Sequence, residues 1–328
     1  MAVRQSVRAA WVKARRPRPF RVPRVFVVIA LALGGLVCAT PAVASGMDRV
    51  SRYVYADTRQ LVAVVEEAAA LMEHEGRQAF EAFAVAGSRW RQGERYLYVY
   101  TLEGTCVFHG STPELVGRNL LTSRDIDGNP MVERIVDIGR RPEPDAAGWV
   151  FFLWENGTQI SATFKSAYNR RVVMPDGQVL VVGSGLYLAK TEPVVAAERI
   201  DDAARYLEVI GLQQGGAALL ARNSRFVFPD VTVFVLDEQG RTIVDPAFPM
   251  NPGRRLLEFT DAVGHQPIID LMRKLKTQSS ASVQFLARRP GAALPARKVI
   301  YARRIVVDGR SVIVGGEYFR PTPVWMRE

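Results

Sequence analysis

The chain has 328 residues, with 43 Lys and Arg against 33 Asp and Glu, a formal charge of +10. Hydrophobic residues make up 48% and charged residues 23%, which excludes a disordered or low-complexity polymer, and two cysteines exclude a disulfide-stapled scaffold and a Cys-rich metal site. At roughly 150 residues per domain, the length fits two domains, each able to bury a core.

The basic surplus is local. Arg4, Arg8, Lys13, Arg15, Arg16, Arg18, Arg21 and Arg24 precede an apolar run of 13 residues, Val25 to Val37, and no acidic residue occurs before Asp48. Helix-breaking Pro41 and the small-residue pattern Ala42-Val43-Ala44 follow. A charged start, a short apolar core and an A-x-A site describe a secretory signal peptide, residues 1–44, cleaved near Ala44. The alternative, an uncleaved inner-membrane anchor, would span only about 20 Å of a hydrocarbon core of roughly 30 Å. Without that segment 35 cations face 33 anions, so the case for nucleic acid as a partner disappears.

Next, from about Met47 to Ala86, Leu61, Val64, Val65, Ala68, Leu71 and Met72 recur at helical spacing, and Ala79, Phe80 and Phe83 continue the stripe. Tyr96-Leu-Tyr-Val-Tyr100 reads as a strand, followed by a turn at Gly104 and a second strand from Thr105 to His109. Loops and a short helix fill 110–141. Trp149–Trp154, Thr158–Val173 and Val179–Leu188 read as three more strands, the last two joined by Pro175-Asp-Gly177.

The second half repeats this order: a helix from about Pro193 to Ala221, a strand Val231–Leu236, a turn at Gln239-Gly240 and Thr242–Asp245. At an offset of 136, Gly104, Val107, Gly117, Leu120, Asp125 and Gly128 match Gly240, Ile243, Gly253, Leu256, Asp261 and Gly264. At 133, Lys165-x-x-Tyr168-x-Arg-Arg matches Lys298-x-x-Tyr301-x-Arg-Arg, and at 131 Gly185-Leu-Tyr187 matches Gly316-Glu-Tyr318. The expected organisation is a signal peptide (1–44) and two copies of one α+β unit, 45–192 and 193–328. In each copy a long N-terminal helix packs on an antiparallel sheet of about five strands, a PAS-like arrangement.

The ordered set Glu75-Gly-Arg-Gln-Ala-Phe80, Tyr96 to Tyr100, Leu115-Val-Gly-Arg-Asn119, Asp125-Ile-Asp-Gly128, Gly148-Trp-Val150, Phe152-Leu-Trp154, Lys165-Ser-Ala-Tyr168 and Gly183-Ser-Gly-Leu-Tyr187 resembles the Cache family of extracytoplasmic sensor domains, in its single-Cache type 2 form, here in tandem. The resemblance implies a small-molecule ligand, a carboxylate or amino acid, held between the sheet and its overlying loops. It also implies signalling through a membrane sensor, or work with a transporter. A small carboxylate needs cationic or hydroxyl donors among aromatic walls, and the candidates are Lys165, Tyr168, Trp149, Trp154, Arg124, His109, Tyr98 and Tyr100. Lys165 and Tyr168, three apart on a strand, face opposite sides unless a bulge intervenes.

The second copy departs from the pattern: Val283 replaces Trp149, Asp245 replaces His109, Thr260 replaces Arg124, and the aromatic pair becomes Phe285-Leu-Ala287. Catalytic readings find little support. His74-Glu75 has Gln78 where a zinc-protease helix needs its second histidine, Val136 stands where a calcium loop needs glutamate, and Gly183-Ser-Gly185 lacks a nucleophile-elbow frame. The expectation is an exported, periplasmic binding or sensing protein with no cofactor, no metal and no catalytic residues. The alternative is a ligand-free interaction module docked on a membrane sensor or transporter.

Overall fold

The computed structural model describes residues 48–155, 162–226, 231–250, 252–289 and 293–320. The expected signal segment lies outside them. Among the described residues no helix is long and apolar enough to cross a membrane.

The first half opens with α1 (Ala56–Glu75), whose Leu61, Val65, Ala68 and Met72 are fully buried. It stops at Gly76, whose N–H bonds Met72 O, and a 3-10 turn leads into α2 (Ala79–Ala84). The single helix expected over 47–86 is therefore interrupted. A short hairpin, β1 (Arg91–Gln92) and β2 (Arg95–Tyr96), precedes β3 (Tyr98–Thr101) and β4 (Cys106–His109). After α3 (Met131–Gly139) come β5 (Ala147–Trp154), β6 (Thr163–Val173) and β7 (Val179–Tyr187). These strands form an antiparallel sheet in the order β4-β3-β7-β6-β5.

Both faces of this sheet are covered. Leu97, Val99, Trp149, Phe151, Tyr168 and Leu180 pack with α1, whereas Tyr96, Tyr98, Tyr100, Val150, Phe152 and Ala167 pack under α3. The period-two alternation of a strand assigns these faces.

The second half has α4 (Pro193–Ile210) and α5 (Leu212–Leu220), split at Gly211 where one helix was expected. Then follow β8 (Thr232–Leu236), β9 (Thr242–Val244), α6 (Pro267–Leu275), β10 (Ser280–Arg288), β11 (Pro295–Val307) and β12 (Arg310–Phe319). Their order, β10-β11-β12-β8-β9, is that of the first sheet read from its other edge. The β3–β4 pairing shifts at Val99/Tyr100, and β8–β9 shifts at the matching Val235/Leu236.

The repeated residues are the ties of the scaffold. Gly104 and Gly240 have φ of 85° and 70°, and a Cβ there would lie 2.6 Å from Leu121 and 2.7 Å from Leu257, so both the backbone and the close packing require glycine. Asp125 Oδ1 accepts N–H bonds from Asp127 (3.0 Å) and Asn129 (2.8 Å), and its Oδ2 accepts one from Leu153 on the free edge of β5 (2.9 Å). Asp261 does the same with Val263, His265 and Leu286, so the expected weak likeness to a calcium loop is a backbone-capping turn.

Pairing corrects two sequence matches. Lys165 opposes Tyr187 and Lys298 opposes Phe319, so Gly185 corresponds to Glu317 and not to Gly316. Trp149 opposes Tyr168 and Ser282 opposes Tyr301, so Ser282, not Val283, stands in the place of Trp149. A one-residue slip exchanges the faces of a strand, which is why the correction matters for the site.

Candidate ligand-binding site

On the α3 side of the first sheet a small cavity is lined by Tyr96, Tyr98, Tyr100, His109, Met131, Val132, Ile135, Phe152, Trp154 and Lys165. Five expected site residues converge here: Tyr98, Tyr100, His109, Trp154 and Lys165. The other three do not. Trp149 and Tyr168 lie on the α1 side because β6 runs without a bulge between Lys165 and Tyr168. Trp149 Nε1 donates to Tyr53 Oη (3.1 Å), and the Tyr168 hydroxyl donates to Glu66 on α1 (2.6 Å). Both line a wider surface groove of about 540 Å³ beside α4. Arg124 is exposed and reaches Glu133 at 3.4 Å.

Lys165 is the centre of the cavity. It is 2% exposed, its ammonium donates to Tyr96 Oη at 2.8 Å, and it lies 4.0 Å and 4.8 Å from the ring centroids of Tyr96 and Tyr187. Among the described residues no carboxylate pairs with it. Burial pulls its pKa below the ordinary lysine value, against the opposing pull of Tyr96 and the more distant Glu94. Burial pushes the Tyr96 phenol up, but the Lys165 ammonium, with hydrogen bonds from Lys165, Ser111 and Tyr187, brings it down overall. Glycine at 185 makes room for the lysine, because a Cβ there would lie 2.7 Å from Lys165 Cε.

The rest of the lining supplies donors. His109 is held down to about 4 by burial and then by the Lys165 charge, so its ring is neutral near pH 7. Its Nδ1 accepts the Thr112 N–H at 3.0 Å, which leaves the ring proton on Nε2. The Tyr98 hydroxyl donates to Asn169 at 2.7 Å. That engages the Tyr98 proton, and the remaining ammonium and imidazole N–H suit a group that only accepts hydrogen bonds, as a carboxylate does. Among the described residues no acidic side chain lines the cavity, so an amino acid would leave its α-ammonium unpaired. The space itself is about 20 Å³, room for one water.

Tyr96 was missing from the sequence candidates although it was read as part of the strand. Its signal was available: Tyr96, Tyr98 and Tyr100 alternate and so share a face. Met131, Val132 and Ile135 carried no signal beyond the apolar stripe of a short helix.

The second half lacks this chemistry. Lys298 pairs with Glu317, and Asp245, in the place of His109, pairs with Arg254 at 2.7 Å. Phe234 and Leu236 replace the tyrosines and pack with Ile268, Leu271 and Phe285 in a closed apolar core. Tyr301 repeats the tie of Tyr168, donating to Asp201 on α4 at 2.9 Å, and Arg303 joins Asp201 as Arg170 joins Glu66.

A family model described as Cache domain matches residues 66–307. Among solved structures, the chain is similar to a methyl-accepting chemotaxis protein from Vibrio parahaemolyticus at 18% identity, covering 45% of this chain and 97% of that one with a TM-score of 0.33. It is similar to a Cache chemosensory domain studied for carboxylic acid recognition at 21% identity, covering 44% and 92% with a TM-score of 0.31. The sensor domain of the V. cholerae histidine kinase DctB matches at 12% identity over 86% of this chain and 97% of that one, with a TM-score of 0.26. No curated protein matches the sequence.

Proposed function

The chain belongs to the Cache domain family, a family of extracytoplasmic sensing modules, and from that premise we propose that its first half binds a small organic acid through Lys165. The observation that carries this reading is a buried ammonium with no carboxylate partner among the described residues, in a cavity that adds the His109 ring N–H, while its counterpart Lys298 is neutralised by Glu317. A buried charge is costly unless paired, and a ligand carboxylate is the missing partner. The lining favours short acids without an ammonium group, with the carboxylate on Lys165 and His109 and the carbon tail against Met131, Val132 and Phe152. We further propose that residues 1–44 export the chain, that residues 45–192 and 193–328 are its two domains, and that the occupied protein works through a membrane sensor or transporter.

Thermal-shift measurements on the purified protein test the reading with acetate, propionate, lactate and the corresponding amino acids. A ligand at about a hundred times its Kd adds about 2.7 kcal/mol of stability. The midpoint rises with small carboxylates and not with amino acids; a flat response across the panel overturns the proposal.

The tightness of the cavity favours one second reading, a ligand-free module that docks on a membrane protein with Lys165 locked on Tyr96. On that reading no acid moves the midpoint, and Lys165→Met raises it by removing a buried charge without any loss of function.

A further inference from the structure

A cavity with room for one water cannot admit even acetate unless its lining gives way, and the part of that lining not built into strands is α3, which supplies Met131, Val132 and Ile135. Its outer side is tied to the second half of the chain. Arg134 Nη1 donates to Asn129 Oδ1 at 3.2 Å, and its Nη2 donates to the backbone carbonyl of Asn223 at 2.8 Å. Asn223 belongs to the segment that follows α5. One residue earlier, Arg222 reaches Asp127 at 3.0 Å, within the turn that Asp125 pins to Leu153. The turn 125–129 and α3 therefore form one piece above the cavity, joined to β5 by Asp125 and to the second half by Arg134.

The second half shows what is particular here. There the same turn is tied to its helix by His265 and Asp270 at 2.5 Å, and Asp270 also takes Arg273, three residues on in the same helix. That tie closes on itself. In the first half the equivalent tie, Asn129 to Arg134, continues to Asn223.

We propose that Arg134 is a positioning residue that latches α3 over Lys165, so that the second half holds the lid of the ligand cavity and registers its opening. The inference rests on the reading of this cavity as the ligand site. It gives the second half a role that needs no ligand of its own: an acid that enters must lift α3, and lifting α3 pulls on the Arg222–Asn223 corner. A charge-assisted bond from half-buried Arg134 to the exposed Asn223 carbonyl holds a helix against opening by about tenfold.

Hydrogen exchange of the intact protein, without ligand, tests the latch. Arg134→Ala is expected to speed exchange across Met131–Gly139 by about tenfold and leave β11 unchanged, with Arg134→Lys between the two. In stopped-flow mixing with acetate, the same variant is expected to associate about tenfold faster than the unaltered protein. Exchange in α3 that stays as in the unaltered protein, or that rises equally in β11, overturns the latch. If acetate and the other acids bind neither protein, the ligand reading fails while the exchange comparison still decides whether Arg134 holds α3.

Discussion

Lys165 and Lys298 occupy the same register point in two sheets of the same strand order, yet one lies over a glycine and the other against a glutamate. The ties that build the unit recur: Asp125 and Asp261 cap the same turn, Tyr168 and Tyr301 clamp the sheet to a helix carboxylate, and Gly104 and Gly240 meet the same leucine. What changes is the lining between them, where Tyr96, Tyr98, Tyr100, His109 and Trp154 give way to Thr232, Phe234, Leu236, Asp245 and Ala287. A duplicated fold keeps what holds it together and is free to vary what it holds.

The largest contrast is expected in the acid response. His109 titrates near 4 instead of its usual 6.5, so the folded state stays neutral while the unfolded chain takes up a proton. Its contribution is complete above pH 6.5 and is lost as pH falls toward 4. The loss is on the order of 3 kcal/mol, from about 1.36 kcal/mol per pH unit. Urea unfolding of the unaltered protein and of His109→Gln across this range checks it: the variant shows the flatter profile. A profile unchanged by the substitution would mean that His109 is not held neutral.

Lys165→Met is expected to weaken acid binding by about a hundredfold, the usual size for truncating one partner of a buried charge pair. It leaves stability unchanged or raised, because a buried charge goes and an apolar chain of similar length stays. Lys298→Met separates the halves by the opposite pattern: binding is unaffected, and Glu317 is left without its partner. Calorimetric titration and thermal melts on both variants read the two quantities independently.

Smaller effects test the shared scaffold. Tyr168→Phe removes a buried bond to a charged group and is expected to cost about 2 kcal/mol, while the more exposed Tyr301→Phe costs about 1 kcal/mol. Neither changes ligand affinity, since both face the long helices. A loss of binding in Tyr168→Phe with stability preserved would return Tyr168 to the site.

Much of the fold was legible because alternation and repetition are written locally. The tyrosine run, the turn glycines and the duplicated Lys-x-x-Tyr-x-Arg-Arg segment identify strands and copies without reference to distant residues. The site was legible in part. Tyr98, Tyr100, His109, Trp154 and Lys165 share one cavity, but Tyr168 was drawn into the candidate set by a motif whose recurrence marks a helix clamp, and Trp149 by the family resemblance. Repetition marks scaffold at Tyr168 and Tyr301 and divergence marks the site at His109 and Asp245, but Lys165 recurs as Lys298, and there the change from Gly185 to Glu317 tells the copies apart. Register in the last strand was hidden because Gly183-Ser-Gly185 and Gly315-Gly316 offer two alignments one residue apart. Strand pairing, with Tyr98 and Phe234 as with Lys165 and Lys298, decides between them. The latch at Arg134 was out of reach, since its partner is a backbone carbonyl in the other half.

The account turns on the missing carboxylate, and Gly185→Glu supplies it at the position of Glu317. Calorimetric titration of propionate into the unaltered protein and into this variant, with melts of both, is the most direct test. The prediction is saturable binding by the unaltered protein and a loss of about a hundredfold or more in the variant, with the melts reading what it costs to shift Lys165, whose Cε lies 2.7 Å from a Cβ at 185. Binding by Gly185→Glu within threefold of the unaltered protein, or no binding by either, would contradict it.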